Sequence, residues 1–388
     1  MKPDFKIPYD GNLKWLVPRT ILYVAHGSRA YGTHRPDSDM DFKGVTVPPR
    51  VYRDGFRLKF EQAEIQKAPL GVENLWYLEQ QGMPSEWVTE PVDAVIFGIQ
   101  KFFKLAADCN PNIIEVLWAD PADILVSSEA GERLLDIRVD FLSRKVVHRF
   151  RGYAMAQLKR IKTHRRWLLT PPLNEPKRAG MGLPETTLIP QDQLAAADAA
   201  VRKQLDSWEI DYGELPESEK VYVREQMHRY LTEIEVGSDE KYMAAARTLG
   251  LDENFIELMH RERMYKNART MWKQYQDWKK HRNPARAALE AKHGYDTKHG
   301  LHLVRLMRMC RETLVTGKVY VRRPDADELL AIRDGNWSYD KLMEWAEVQD
   351  VELLELSRTS PLPKAPNYKV LDRVCQEMVQ SFDKTPVK

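Results

Sequence analysis

Two aspartates, Asp39 and Asp41, bracket Met40 in the stretch "GSRAYGTHRPDSDMDFKGV" and stand ten residues behind a Gly-Ser pair, Gly27-Ser28. In an extended segment, residues two apart share a face. Asp39 and Asp41 therefore project together, while Met40 turns into the core. Two carboxylates so close repel unless a cation sits between them. A hard divalent ion such as Mg²⁺ (or Mn²⁺) suits them, because it prefers oxygen ligands and keeps places open for phosphate oxygens. A third acid on a neighbouring strand would complete such a site. Asp93, at the head of "DAVIFGI", is the best candidate, with Glu90 as the fallback.

The Gly-Ser pair supplies the complementary part. A helix starting near Ser28 presents free backbone N–H groups and a positive dipole end to an anion. Gly27 lets a phosphate approach the backbone, the Ser28 hydroxyl donates to it, and Arg29 adds charge. A metal clamp beside an anion-binding helix start suits in-line attack on a nucleotide phosphate.

The elements that must position these residues are short. "TILYVAHG" (20–27) reads as a buried strand, "DMDFKGVTV" (39–47) alternates up to Pro48-Pro49, and "PVDAVIFGI" (91–99) is a third β-branched run. "GIQKFFKLAADCNPNIIEVLWAD" reads as helix interrupted at Asn110-Pro111, with the Asn capping a second helix. From about Glu132 the spacing is helical, apart from a Pro/Gly-rich loop over 170–190 and a short extended "KVYVRRPD". The pattern predicts an α/β N-terminal domain over 1–125. A mostly helical region over 126–388 follows, with an inserted segment around 170–290.

The stretch "HGSRAYGTHRPDSDMDFKGV" resembles the signature of the DNA polymerase β-type nucleotidyltransferase superfamily: Gly-Ser, a gap of about ten residues, then Asp-x-Asp on the next strand. Within it, the chain is similar to stand-alone bacterial and phage nucleotidyltransferases with a GSxAYG...SDxD core. The likeness extends to "NPNIIEVLW", "RNPARAALEAKHGYDTKHGLHLVRLMRM" and "GKVYVRRPDADELLAIRDG", and is least over Gln191–Lys241. It implies an α+β fold in which a small mixed sheet packs against helices and a helical domain follows. It also implies Mg²⁺ on Asp39, Asp41 and a third acid, and an NTP substrate, ATP among them. The acceptor it suggests is an RNA, with a tRNA 3′ end favoured. The same chemistry on a protein or small molecule is the alternative, as is a non-catalytic nucleotide- or RNA-binding module.

The helical half carries further polar groups. Lys298, His302 and Arg305 fall at i, i+4 and i+7 and share one helix face, where they could grip a triphosphate; a solvated cationic face is the plainer reading. Asp296 or Thr297 caps that helix. "YAMAQLKRIKTHRRW" (153–167) combines Lys159, Arg160, Lys162, Arg165 and Arg166 with Tyr153 and Trp167, a mixture suited to RNA but also to an ordinary solvated surface. Trp272 and Tyr275 read as core rather than as a base-stacking platform. His26, next to the Gly-Ser pair, is either an acid–base group or a strand end.

Composition narrows the remaining classes. The 388 residues carry a formal net charge of +2, which gives no global nucleic-acid footprint. Three scattered cysteines form no CxxC pair and read as reduced packing residues. There is no apolar leader and no run of membrane-spanning length, so a cytoplasmic protein with no membrane partner is expected. GxSxG, HExxH and GxxxxGK[ST] are all missing from the sequence. Oligomeric state is not legible.

Overall fold

The structure is a computed structural model that describes residues 4–187, 189–207, 242–243 and 246–384. Much of the segment Gln191–Lys241 therefore lies outside the described residues. Five strands form one mixed sheet in the order β3-β4-β2-β1-β5. They are β1 (Thr20–His26), β2 (Asp41–Thr46), β3 (Gln62–Ile65), β4 (Asp93–Gly98) and β5 (Ile124–Ser127). Only β2 and β4 run parallel; the other pairs are antiparallel. β1 is buried along its whole length, as its unbroken apolar run requires.

Alternation sorts the residues of β2. Phe42 enters a core with Tyr23, Ala25, Met40, Tyr77, Leu78, Ala94 and Ile96. The rings of Tyr23 and Phe42 stack at 5.5 Å between centroids, a contact worth about 0.5–1.5 kcal/mol beyond its area. Asp41 and Lys43 face the other way, as a period of two dictates. Met40 is buried just ahead of the strand.

Eight helices precede the undescribed stretch among the described residues: α1 (Gly27–Tyr31), α2 (Arg50–Arg53), α3 (Leu75–Gln80), α4 (Ile99–Ala107), α5 (Pro111–Leu117), α6 (Glu129–Asp136), α7 (Lys145–Leu169) and α8 (Gln191–Ser207). After it come α9 (Glu253–His281), α10 (Pro284–His293), α11 (Thr297–Thr316), α12 (Ala326–Arg333), α13 (Tyr339–Thr359) and α14 (Tyr368–Asp383). α5 begins as its sequence foretold: the Asn110 side chain accepts from Asn112 N–H at 3.1 Å, and Pro111 takes the first helical position. The Asp296 carboxylate caps α11 by accepting from the backbone N–H groups of Lys298 and His299. "KVYVRRPD" joins no strand. Among the described residues no helix is long and apolar enough to cross a membrane.

Residues 1–168 and 284–388 cluster into one compact unit and 169–283 into another. The first holds the sheet and the helices α10–α14. The second has its own small core of Val201, Tyr242, Ala246, Ile256 and Met259, and an ion pair between Arg178 and Glu262. Tyr275 is buried and Trp272 half-buried, as a core reading of that stretch expects.

Candidate active site at one end of the sheet

The strand register sets two of the acids side by side. Asp41 is the first residue of β2 and pairs with Asp93, the first residue of the parallel strand β4. Across the antiparallel side Asp41 pairs with His26, the last residue of β1. Asp39 lies two residues ahead of β2, exposed, and raises the pKa of Asp41 together with Asp93. Asp93 is exposed as well. Asp93, not Glu90, therefore stands in register with Asp41; Glu90 is exposed and its carbonyl accepts from Leu70 N–H.

Asp41 bears the electrostatic strain of this crowding. Burial, then the charges of Asp93 and Asp39, push its carboxyl up to about 6, against the smaller pull of Lys43 and Lys298. An acidic group left short of positive charge, with only oxygen donors, fits a hard divalent cation.

The Gly-Ser turn is shaped by the same carboxylate. Gly27 adopts φ +69°, and a Cβ there would lie 2.1 Å from Asp41 Oδ2. Glycine is thus required twice over, for its left-handed backbone and for the room it leaves Asp41. α1 is barely more than one turn long, and Gly32 ends it in the left-handed conformation. So short a helix has little dipole, and its value to an anion lies in the unbonded N–H groups of its first turn.

Behind the turn lies a buried polar cluster whose centre, Glu115, sequence reasoning missed. Glu115 of α5 is fully buried. It accepts from Tyr31 Oη at 2.6 Å and Arg305 Nη1 at 2.5 Å, and its Oε2 lies 3.1 Å from His26 Nε2. Burial alone would raise its pKa, but Arg305, His26 and Lys43 outweigh that and hold it well below the usual carboxylate range. The Arg305 guanidinium also sits 3.8 Å from the centroid of the Tyr31 ring. Lys43 Nζ reaches the Asn112 carbonyl at 2.8 Å and lies 3.2 Å from His26 Nε2; burial lowers its pKa to about 8. Burial brings His26 down to about 4, so it is a neutral imidazole at the strand end. A signal for Glu115 existed in the sequence: it is a lone acid among Ile113, Ile114, Val116 and Leu117. Lys43 was legible too, two positions beyond Asp41 in an alternating strand.

The basic residues expected to hold phosphate divide. Lys298 is half-buried at the start of α11 and feels the charges of Asp39 and Asp41. His302, one turn on, is half-buried; burial and the nearby Arg305 and Lys298 keep it neutral. Arg305 departs from the expected grip, because at 4 % exposure it is consumed by Glu115 and Tyr31. Arg29 likewise is buried: its Nη2 donates to the Ser38 carbonyl at 2.7 Å and its guanidinium covers the Trp87 ring. It thereby ties down the loop that delivers Asp39. On α7, Lys159, Arg160, Lys162 and Arg166 are exposed, whereas Trp167 is buried and Arg165 lies over the Tyr339 ring.

Residues 13–169, fewer than half of the chain, match the family described as the RNA repair pathway DNA polymerase beta family. The resemblance to polymerase β-type nucleotidyltransferases read from the Gly-Ser and Asp-x-Asp signature is thereby shown, and the match supports nucleotidyltransferase activity in general. The chain is also similar to an uncharacterized 38.9 kDa protein of the nrdC-mobD intergenic region of Enterobacteria phage T4. The two are 29% identical over 111 residues, a stretch that is 29% of each chain. No solved structure matches the chain.

Proposed function

We propose that the protein is a metal-dependent nucleotidyltransferase that moves an NMP from an NTP to a hydroxyl of RNA, with a tRNA 3′ end as the favoured acceptor. The observation that carries the proposal is the register Asp41–Asp93 beside Asp39, with Asp41 pushed up to about 6 by burial and then by the two neighbouring carboxylates, more than Lys43 and Lys298 offset. In this reading Asp39, Asp41 and Asp93 hold Mg²⁺ or Mn²⁺. The ion supplies charge neutralisation at the phosphate and a lowered pKa for the acceptor hydroxyl.

The remaining residues bind and orient. The N–H groups at Gly27-Ser28 and the Ser28 hydroxyl face the phosphates, and Lys298 and His302 approach from α11. The acceptor oxygen bonds to the α-phosphorus as the bond to the β-phosphate oxygen breaks, and pyrophosphate leaves. Arg305, Glu115 and Tyr31 act as positioning residues that fix α1 against α5 and α11. Arg29 positions the loop before Asp39. The exposed cations of α7 supply contact with the RNA backbone. The family description, with its RNA repair pathway, favours RNA over other acceptors.

The test incubates the protein with Mg²⁺, each α-labelled NTP in turn, and total RNA or tRNA, beside an Asp39→Ala/Asp41→Ala control. Label in RNA that disappears in the control is the expected result. Label on protein or on a small molecule changes the acceptor. Absence of transfer from any NTP, with nucleotide binding that survives the double substitution, leaves a binding module and refutes the enzymatic reading.

A further inference from the structure

A second set of metal-type donors, sharing no residue with the three aspartates, gathers where α7, α10 and the first turn of α11 meet. One atom each of His164, Asp296 and His299 come within 4.8 Å of one another, and Asp296 and His299 are buried. The tautomer of His299 follows from its neighbour. Nδ1 lies 2.8 Å from Gln157 Oε1, an oxygen that only accepts, so Nδ1 carries the proton and Nε2 keeps a lone pair. That lone pair faces Asp296 Oδ2 at 3.5 Å. Two electron-rich atoms facing each other in a buried place repel unless a cation lies between them.

The geometry also suits an ion. Ligands of tetrahedral zinc bound at about 2.0–2.1 Å lie roughly 3.4 Å apart, close to the separation seen here. The other carboxylate oxygen, Oδ1, is already committed to capping α11, which leaves Oδ2 for the site. Glu290, 2 % exposed, places Oε1 3.5 Å from His164 Nδ1. From there a carboxylate orients an imidazole so that its Nε2 binds a metal.

We propose that His164, Asp296 and His299 form a binding site for a divalent transition-metal ion of the zinc class, with Gln157 and Glu290 orienting the two imidazoles. Two nitrogens and one carboxylate select Zn²⁺ or its neighbours over Mg²⁺, which distinguishes this site from the all-oxygen aspartate group. The ion pins the first turn of α11, the turn that carries Lys298. Arg286, whose Nη1 is 3.6 Å from Asp296 Oδ2, is the competing cation.

The experiment measures Zn²⁺ affinity of the full chain by competition with a chromogenic chelator, and Co²⁺ absorption as a report of coordination. The proteins are wild type, Asp39→Ala/Asp41→Ala, His164→Gln, His299→Ala and Arg286→Gln. One tight equivalent is expected in wild type and in the double aspartate variant, weakened at least about 100-fold in His164→Gln and His299→Ala. Arg286→Gln tightens it. Circular dichroism of each metal-free variant separates lost ligation from lost folding, and half-buried His164 serves if His299→Ala does not fold. Zinc binding that disappears with Asp39 and Asp41, or that ignores both histidines, overturns the proposal. So does stabilisation by inorganic phosphate that depends on both His299 and Arg286, which marks an anion pocket instead.

Discussion

Replacing Asp41 by Asn should make the metal-free protein more stable at pH 8, although it removes a central residue of the site. The carboxyl rises from 3.8 in the unfolded chain to about 6 in the native state. Between those values the native state binds more protons than the unfolded one, so stability falls as pH rises through the window. Above about pH 6 the full cost is present; below about pH 4 it is gone. A difference of roughly two pH units, at about 1.4 kcal/mol each, gives about 2–3 kcal/mol at pH 8. For a mid-sized domain this is about 4–10 °C in melting temperature. The assay is thermal or urea unfolding of wild type and Asp41→Asn in EDTA at a series of pH values. The Asn variant should melt higher at pH 8, and the gap should close toward pH 4. Saturating Mg²⁺ should raise wild type and leave the variant nearly unmoved. An Asn variant less stable than wild type at pH 8, or a gap constant with pH, refutes the view that Asp41 is held against carboxylate repulsion.

Three further outcomes follow from the same geometry. Gly27→Ala forces a Cβ into Asp41 Oδ2 at a positive φ, so it should cost about 1–3 kcal/mol in thermal unfolding and abolish nucleotidyl transfer; a tolerated alanine refutes the packing argument. Breaking the buried pair with Glu115→Gln or Arg305→Met should cost about 3–5 kcal/mol each in denaturant unfolding. The double variant should cost clearly less than their sum, because each single change strands a charge. Changing Lys159, Arg160, Lys162 and Arg166 to Gln should weaken RNA binding with little effect on melting. The log–log salt dependence should lose about 3 in slope, at roughly 0.7 per cation on a single strand, and an unchanged slope removes α7 from the RNA surface.

The parts of the site that lie within one strand or one turn were legible. Alternation put Met40 inward and Asp41 outward, and the Asn110-Pro111 break started a helix, because each depends on backbone period and capping alone. Asp93 was legible as a polar residue heading an apolar run. β3 and β5 were not foreseen, since four-residue edge strands such as "QAEI" and "ILVS" carry too little pattern to separate from loop. Arg305 and Arg29 show the converse. Their spacing is the same whether they face solvent or an internal partner, and helical periodicity cannot tell a phosphate grip from the buried carboxylate that holds Arg305 or the loop carbonyl that holds Arg29.

The sequence by itself determined β1, β2 and β4, the Gly-Ser turn, the acid pair and the resemblance they carry, because these rest on local geometry over a few residues. The tertiary structure decided what those residues meet. The parallel pairing of β2 with β4 brought Asp93 beside Asp41, although 52 positions separate them in the chain. The return of α11 against α5 gave Arg305 to Glu115, and the meeting of α7 with the start of α11 gathered His164, Asp296 and His299. Charge and ligation act through space at a few ångströms, and only the folded chain fixes which distant side chains come that close.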